Sequence, residues 1–206
     1  MAVLDRDLDR EHRPLGWVER MPRGTDFGPS MLQYGLDHHR DRLSDPFAEM
    51  AELYIAEQAA LESLWDEGAL TVLQGDSHIG NLFTEGGRVG FLDWGLIQLG
   101  VAIRDVGYFI IMALSPQTRR EHERELLQHY LDARAAIGGR PMSFDEAWRG
   151  YRIHASYAVP AACPLVLFPE RAEPEQAKLS AAFLNRSEEA VADLDARGAL
   201  REYAGI

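Results

Sequence analysis

Residues 73–94 read L-Q-G-D-S-H-I-G-N-L-F-T-E-G-G-R-V-G-F-L-D-W and set three polar side chains, Asp76, Asn81 and Asp93, among apolar runs. Three short strands are predicted around them, at residues 69–73, 81–84 and 88–93. A short glycine-containing turn between two apolar runs is typical of a β-hairpin. Such a hairpin would bring Asp93 back beside Asn81, with the loop that carries Asp76 next to both.

These three side chains suit phosphoryl transfer. Magnesium prefers hard oxygen ligands, usually one or two from the protein and the others from phosphate and water. Asn81 and Asp93 can supply such oxygens, whereas a metal-free carboxylate at Asp76 can accept or orient the proton of an attacking hydroxyl. We therefore take Asp76 as the candidate base, and Asn81 and Asp93 as the candidate metal ligands.

The same stretch resembles a known family. Residues 74–81 resemble the H-G-D-x-H-x-x-N loop of the aminoglycoside phosphotransferases and choline-kinase-like enzymes, the small-molecule branch of the protein-kinase-like fold. Residues 91–94 resemble their I-D-W/F segment, and Gly100 followed by R-D-V at residues 104–106 resembles the G-x-P-x-x-D-L element. Gln74 stands where the family has histidine, and a modest effect is expected because this position is not the base.

The resemblance implies a function and a role for each residue of the motif. The implied activity is ATP- and Mg²⁺-dependent phosphorylation of the hydroxyl of a small-molecule acceptor. Asp76 would be the catalytic base, and Asn81 and Asp93 would hold magnesium and, through it, the nucleotide. Asp105 would be a structural residue that braces the loop. His78 is predicted to fix the shape of the loop through hydrogen bonds within it.

The implied fold class is α+β and mainly α, namely the C-terminal lobe of the protein-kinase-like fold with a small β-hairpin that carries the site. Residues 1–44 are expected to form an N-terminal arm and a helix that lead in from a missing N-lobe. Residues 45–206 are expected to form the C-lobe as a single domain. Helices are predicted at residues 29–43, 46–66, 103–114, from 116 to the Gly-Gly pair at 138, from 144 to about 157, and from about 175 to 197.

Capping signals mark several of these helix ends. Asp45 and Ser115 are predicted N-caps, and Ser143 with Glu146 forms a capping-box pattern. Gly198 is predicted to end the last long helix. Apolar residues at helical spacing predict a buried face on the helix at residues 46–66, formed by Phe47, Met50, Ala51, Tyr54, Leu61, Leu64 and Trp65.

Two parts that a kinase-like enzyme needs do not appear in the sequence. There is no G-x-G-x-x-G phosphate cover, and the only lysine, Lys178, falls in the last long helix instead of on a strand that could hold the phosphates. The chain is therefore expected to be a C-lobe whose partner is a missing N-lobe or upstream segment, and to be inactive alone.

Two other classes of function were weighed. A non-catalytic kinase-like remnant could act as a binding or interaction module, because a fold does not fix a function. A serine hydrolase is suggested superficially by Gly75, Ser77 and His78, but the nucleophile elbow needs glycine at residue 79, which is isoleucine here. Adjacent serine and histidine side chains also cannot easily act as nucleophile and base.

Composition excludes several partners and compartments. The 206 residues are 46% hydrophobic and 26% charged, which is typical of an ordinary globular protein. A net charge of −12 argues against nucleic acid or an anionic membrane as the main partner. Cys163 is the only cysteine, so no disulfide framework or thiolate metal site is expected, and a cytoplasmic location is the default. No signal peptide and no membrane-spanning apolar run is evident.

Overall fold

The computed structural model describes residues 16–161 and 173–206, and it is mainly helical with two small antiparallel sheets. Its α-helices are α1 (Phe27–His39), α2 (Asp45–Trp65), α3 (Ala102–Ala113), α4 (Pro116–Ala136), α5 (Phe144–His154), α6 (Pro174–Asp193) and α7 (Ala196–Ala204). Its strands are β1 (Leu70–Leu73), β2 (Leu82–Glu85), β3 (Arg88–Phe91) and β4 (Gln98–Val101). Among the described helices, none combines the length and the apolar character that a membrane crossing requires.

The chain divides into two compact units. Of the described residues, 16–22 and 65–151 belong to the first unit, and 23–64, 152–161 and 173–206 belong to the second. The candidate loop and the hairpin both belong to the first unit. The expected boundary at residue 44, between an arm and a single C-lobe domain, stays a prediction.

The first sheet lies in the first unit and pairs β1 with β4. The two strands are antiparallel, with Leu70 opposite Val101 and Leu73 opposite Gln98. All four residues of β4 are buried, and α3, which follows β4 directly, contacts both strands. Residues 98–101 were not predicted as a strand. The pairing joins segments about two dozen residues apart, so no local pattern encodes it.

The second sheet is the predicted hairpin, formed by β2 and β3. Leu82 lies opposite Phe91 and Glu85 opposite Arg88, so the turn consists of two glycines alone. Gly86 and Gly87 have φ angles of 56° and 76°. Positive φ at both central residues is what a two-residue hairpin turn of type I′ requires, and glycine adopts it without a steric penalty. The hairpin therefore ends in the turn that its sequence favours.

Three of the helix starts can be compared with their predicted caps. The Ser115 hydroxyl accepts a hydrogen bond from the Thr118 backbone N–H at 3.2 Å. The Ser143 hydroxyl accepts from the Glu146 N–H, and the Glu146 carboxylate accepts from the Ser143 N–H at 2.7 Å. Both of these caps are confirmed. Asp45 is not a cap, because it lies in the first turn of α2 and its carboxylate pairs with a guanidinium instead.

The buried face of α2 is largely as predicted. Phe47, Met50, Ala51, Tyr54, Leu61 and Trp65 are buried, whereas Leu64 is half-buried. The helix bends at Glu57, whose φ and ψ of −121° and 28° are not helical. Helical spacing therefore predicts the inward face without predicting the bend.

The prediction of one last helix that runs to Arg197 and stops at Gly198 is wrong. Helix α6 ends at Asp193, and α7 begins at Ala196. Asp195 between them has a φ of 46°, a left-handed conformation that cannot continue a right-handed helix. Its carboxylate accepts a hydrogen bond from the Gly198 N–H at 3.1 Å, so this glycine lies in the first turn of α7 instead of ending a helix.

Candidate functional site

The candidate loop follows β1 and is tied to α3 through one buried carboxylate. Asp105 Oδ2 accepts a hydrogen bond from the Gln74 N–H at 2.8 Å, and its Oδ1 accepts from the Gly75 N–H at 3.1 Å. The Ser77 hydroxyl donates to the Asp105 backbone carbonyl at 3.1 Å. Asp105 is 2% exposed, so these hydrogen bonds replace those that its carboxylate would make to water. Its contacts are those of a residue that supports the loop.

Asp76 lies at the centre of this loop, and its carboxylate meets donor groups of three side chains. Oδ2 lies 3.0 Å from Asn81 Nδ2 and 3.4 Å from His78 Nε2. Oδ1 accepts a hydrogen bond from the Tyr108 hydroxyl at 3.4 Å. The side chain is 28% exposed, so one part of it is still open to solvent. The fold thus brings Asp76, His78 and Asn81 together.

The tautomer of His78 follows from its other contact. Its Nδ1 accepts a hydrogen bond from the Gly80 backbone N–H at 3.0 Å, which requires an unprotonated Nδ1. In the neutral ring the proton therefore sits on Nε2, the nitrogen that faces Asp76. An ideal Cβ on Gly80 would lie 2.8 Å from His78 Cε1, so the glycine makes room for the ring.

The two carboxylates of the loop are shifted in opposite directions. Burial raises the pKa of Asp76, but the hydrogen bond and charge of His78 and the hydrogen bonds of Asn81 and Tyr108 outweigh it, so the net shift is downward. Burial also raises the pKa of Asp105, and there the backbone N–H groups of Gln74 and Gly75 do not fully offset it, so that pKa stays above its usual value. Asp76 is therefore ionised at neutral pH.

Asp76 is expected to make the folded chain sensitive to acid. Because its pKa is lowered by folding, the ionised side chain stabilises the fold above the unfolded pKa of about 4, and this contribution is lost as the pH falls through the folded-state pKa. The free energy of unfolding of Asp76→Asn should therefore fall less than that of the wild type below about pH 4. Urea unfolding at a series of pH values measures this, and parallel curves would contradict it. Asp105→Asn is the control and should show the opposite pH dependence. Because the pKa of Asp105 is raised, the contribution of this carboxyl group to the free energy of unfolding declines as the pH rises.

Asp93 lies next to this group through the backbone. The Leu92 N–H donates to the Asn81 carbonyl at 2.8 Å, so Asp93 is one residue beyond that pairing. The Asp93 side chain is exposed, and its Oδ1 accepts a hydrogen bond from the Gly95 N–H at 3.2 Å, not from Asp76 or Asn81. Its φ of 44° is left-handed. The three candidate residues are thus neighbours along the backbone, but no hydrogen bond joins the Asp93 side chain to the other two.

The donor chemistry of Asn81 and Asp93 fits magnesium. Asn81 Nδ2 donates to the backbone carbonyl of Asp76 at 2.9 Å as well as to its carboxylate, which leaves the amide oxygen Oδ1 to face a cation. An amide oxygen and an exposed carboxylate are hard ligands of the kind that magnesium accepts. Within residues 16–161 and 173–206, no group of three or more His, Cys, Asp or Glu side chains could hold a metal ion. A cation here would therefore take its other ligands from phosphate and water.

Tyr108 contacts Asp76 and was not predicted as a site residue, and Gln74 was predicted only as a departure from the family motif. Tyr108 lies three residues after Asp105 on α3, on the same helix face, and this spacing is a signal that could have found it. Gln74 was expected to have a modest effect, yet its side chain is fully buried and bonded to both candidate segments. Two of its three hydrogen bonds reach residues 18 and 19 positions away, so only its position beside Gly75 and Asp76 hints at them.

A mainly helical α+β chain in which an aspartate-bearing loop, a hairpin and a second aspartate follow in this order is compatible with a kinase-like fold. Residues 6–152 match the model of the phosphotransferase enzyme family. Because the match covers more than half of the chain, the chain belongs to this family, and the resemblance is confirmed. Comparison with curated proteins and with solved structures gave no match.

Proposed function

We propose that this chain is the C-lobe of an ATP- and Mg²⁺-dependent phosphotransferase that acts on a hydroxyl of a small molecule. Asp76 is the base, and Asn81 and Asp93 are the magnesium ligands. The observation that carries the proposal is the arrangement at Asp76, where an ionised carboxylate lies 3.0 Å from an asparagine amide whose oxygen is left for a cation. Family membership supports the class of reaction.

The two carboxylate oxygens of Asp76 differ in what they can do. Oδ2 is held by Asn81 and His78, whereas Oδ1 has one long hydrogen bond of 3.4 Å from Tyr108. Oδ1 is therefore the oxygen that receives the proton of the acceptor hydroxyl. Because the pKa of Asp76 is lowered, it is a weak base, so it mainly orients the hydroxyl and takes the proton as the new P–O bond forms.

The two proposed metal ligands have different roles. Asn81 contributes a neutral oxygen and also holds Asp76, so it links the base to the metal side of the site. Asp93 contributes the charge. Magnesium, when bound, would neutralise negative charge on the phosphates during transfer.

The proposed C-lobe acts together with a strand-rich segment that covers the nucleotide and supplies a lysine. The only lysine of the chain, Lys178, pairs with Glu175 on α6 at 2.8 Å. Exposed large apolar side chains of the described residues concentrate in two short stretches of the first unit, and such surfaces mark interaction sites. They are Trp17, Met21, Ile79, Phe83, Val89, Leu92, Trp94 and Leu96. A surface of this kind suits a partner lobe.

The metal roles can be tested on the isolated chain with Mn²⁺-ATP, because the paramagnetic ion broadens nearby amide resonances even when binding is weak. Broadening is expected around Asn81 and Asp93. Asp93→Ala should raise the Mn²⁺-ATP concentration that produces a given broadening by at least about tenfold, and Asn81→Ala should raise it by less. A carboxylate contributes a negative charge to the cation site, whereas an amide contributes only a dipole. Asp132→Ala, which removes an exposed carboxylate on α4, is the control and should change nothing.

The same titration separates the proposal from its alternatives. Unaltered broadening in both variants would rule out the metal roles, and no broadening at either residue in the wild type would favour the non-catalytic binding module. The isolated chain is expected to bind Mg²⁺-ATP with a Kd weaker than about 1 mM, and to release no ADP in response to a hydroxyl acceptor. Micromolar binding or turnover would show that the 206 residues need no partner lobe.

A further inference from the structure

Gln74, at the end of β1, is a fully buried amide whose hydrogen bonds reach two separate segments. Its Nε2 donates to the backbone carbonyls of Leu92 at 3.0 Å and Asp93 at 2.7 Å. Its Oε1 accepts from the Asp76 N–H at 2.8 Å. The side chain is 0% exposed, so no water can replace these partners. Both N–H groups and the carbonyl oxygen of the amide are therefore used.

Each of these bonds fixes a backbone position that the proposed chemistry depends on. Asp93 has a φ of 44°, an unfavourable conformation for a residue with a side chain. The bond from Gln74 to its carbonyl is the shortest of the three and holds that peptide in place. The bond to the Asp76 N–H holds the residue whose carboxylate is the candidate base. One side chain thus spans the distance between the two segments.

We propose that Gln74 is a positioning residue that sets the spacing between Asp76 and Asp93. This inference rests on the proposed function, because it takes those two residues as base and metal ligand. The amide acts through the backbone of each and touches neither substrate nor metal. Without it, the segment at Asp93 and the loop at Asp76 lose the side chain that joins their backbones directly.

The chemistry of the side chain explains why glutamine suits this position. The three contacts need two donors and one acceptor, which an amide supplies at once. A neutral histidine has one donor and one acceptor, so Gln74→His can keep only two of them. An ionised glutamate has no donor and would face two carbonyl oxygens, and methionine, of similar length, offers no donor and only a weak acceptor. The variants therefore form a graded series.

The experiment monitors the conformation of the segment at Asp93 and of the loop at Asp76 in the protein without nucleotide. Trp94 is 49% exposed and follows Asp93 directly, so its resonance in 5-fluorotryptophan-labelled protein reports that segment, and Trp94→Phe identifies it among the four tryptophans. The exchange rate of the Asp76 amide reports the loop. Gln74→Met is expected to shift or broaden the Trp94 resonance and to speed Asp76 exchange about tenfold beyond the global change in stability.

Gln98→Met is the matched control. Gln98 is also a buried amide of the first unit, 4% exposed, and it accepts a hydrogen bond from Arg104 at 2.7 Å. Its replacement removes this bond and the 3.3 Å bond from Gln98 Nε2 to the Leu96 carbonyl, neither of which involves Asp76, so it should lower stability and leave Asp76 exchange unchanged beyond the global change in stability. If Gln74→Met behaves like this control, or moves only one of the two probes, the positioning role is overturned.

A second variant keeps the test decisive. If Gln74→Met does not fold, Gln74→His replaces it and should give intermediate changes in both probes, since it keeps two of the three bonds. Wild-type values for both probes in that variant would overturn the proposal. The probes need no bound nucleotide, so a failure of Mn²⁺-ATP to broaden Asn81 and Asp93 would count against the proposed function alone.

Discussion

Replacing Asp76 by asparagine is expected to lower the rate of phosphoryl transfer by about 10²–10⁴-fold, the usual contribution of a positioned base. The amide can occupy the same space but cannot accept the hydroxyl proton. Nucleotide affinity should change little, because the proposed site has Asp76 facing the acceptor and does not use it as a metal ligand. The measurement is acceptor-dependent ADP release, with the nucleotide-covering segment supplied to the chain in cis or in trans.

Tyr108→Phe is the control for this prediction. It removes the 3.4 Å hydrogen bond to Asp76 Oδ1 but leaves the carboxylate, so the rate should fall by less than about tenfold. An Asp76→Asn variant with full turnover would remove Asp76 from the role of base. A variant that loses nucleotide affinity as much as rate would show instead that the substitution disturbs the whole site.

Replacing Gly75 by alanine is expected to lower the free energy of unfolding by about 3 kcal/mol or more. Gly75 has a φ of 88°, which disfavours any side chain. An ideal Cβ there would also lie 2.1 Å from the backbone carbonyl oxygen of Leu96, a contact that no rotamer change can relieve. The loop would have to move away from the bonds that its N–H groups make with Asp105. Chemical denaturation measures the loss.

Gly86→Ala distinguishes the cost of the positive φ from the cost of the steric clash. Gly86, in the hairpin turn, also has a positive φ, 56°, but an added Cβ would meet nothing within 4 Å. Its free energy of unfolding should fall only by the cost of placing alanine at a positive φ, about 1–2 kcal/mol. The clash at Gly75 is refuted if both variants lose stability equally. A Gly75→Ala variant that is too unstable to purify, beside a well-folded Gly86→Ala, meets the expectation.

Local patterns predict those parts of the fold that local physics determines. The caps at Ser115 and Ser143 depend on residues three positions apart, and the hairpin with its Gly86-Gly87 turn pairs residues no more than nine positions apart. The order of Asp76, Asn81 and Asp93 is likewise visible in the chain. These elements were predictable because the interaction that forms each of them is encoded within a single short segment.

Other features depend on contacts that no short segment contains. The pairing of β4 with β1 is set by burial between distant segments, and the side chain of Gln74 joins residues 18 and 19 positions away. The break at Asp195 required a left-handed residue that helix propensity alone does not indicate. The candidate site was therefore predictable as a list of residues but not as a bonded group.

The buried carboxylate of Asp105 has a consequence for how the candidate loop moves. A loop is normally among the first parts of a protein to open. Here, releasing the loop would leave a carboxylate on α3 without the N–H groups that satisfy it, in a helix that is buried at eleven of its twelve residues. Loop and helix therefore open together as one cooperative segment, and the acceptor of the proposed reaction would meet a rigid surface at Asp76 instead of one that closes around it.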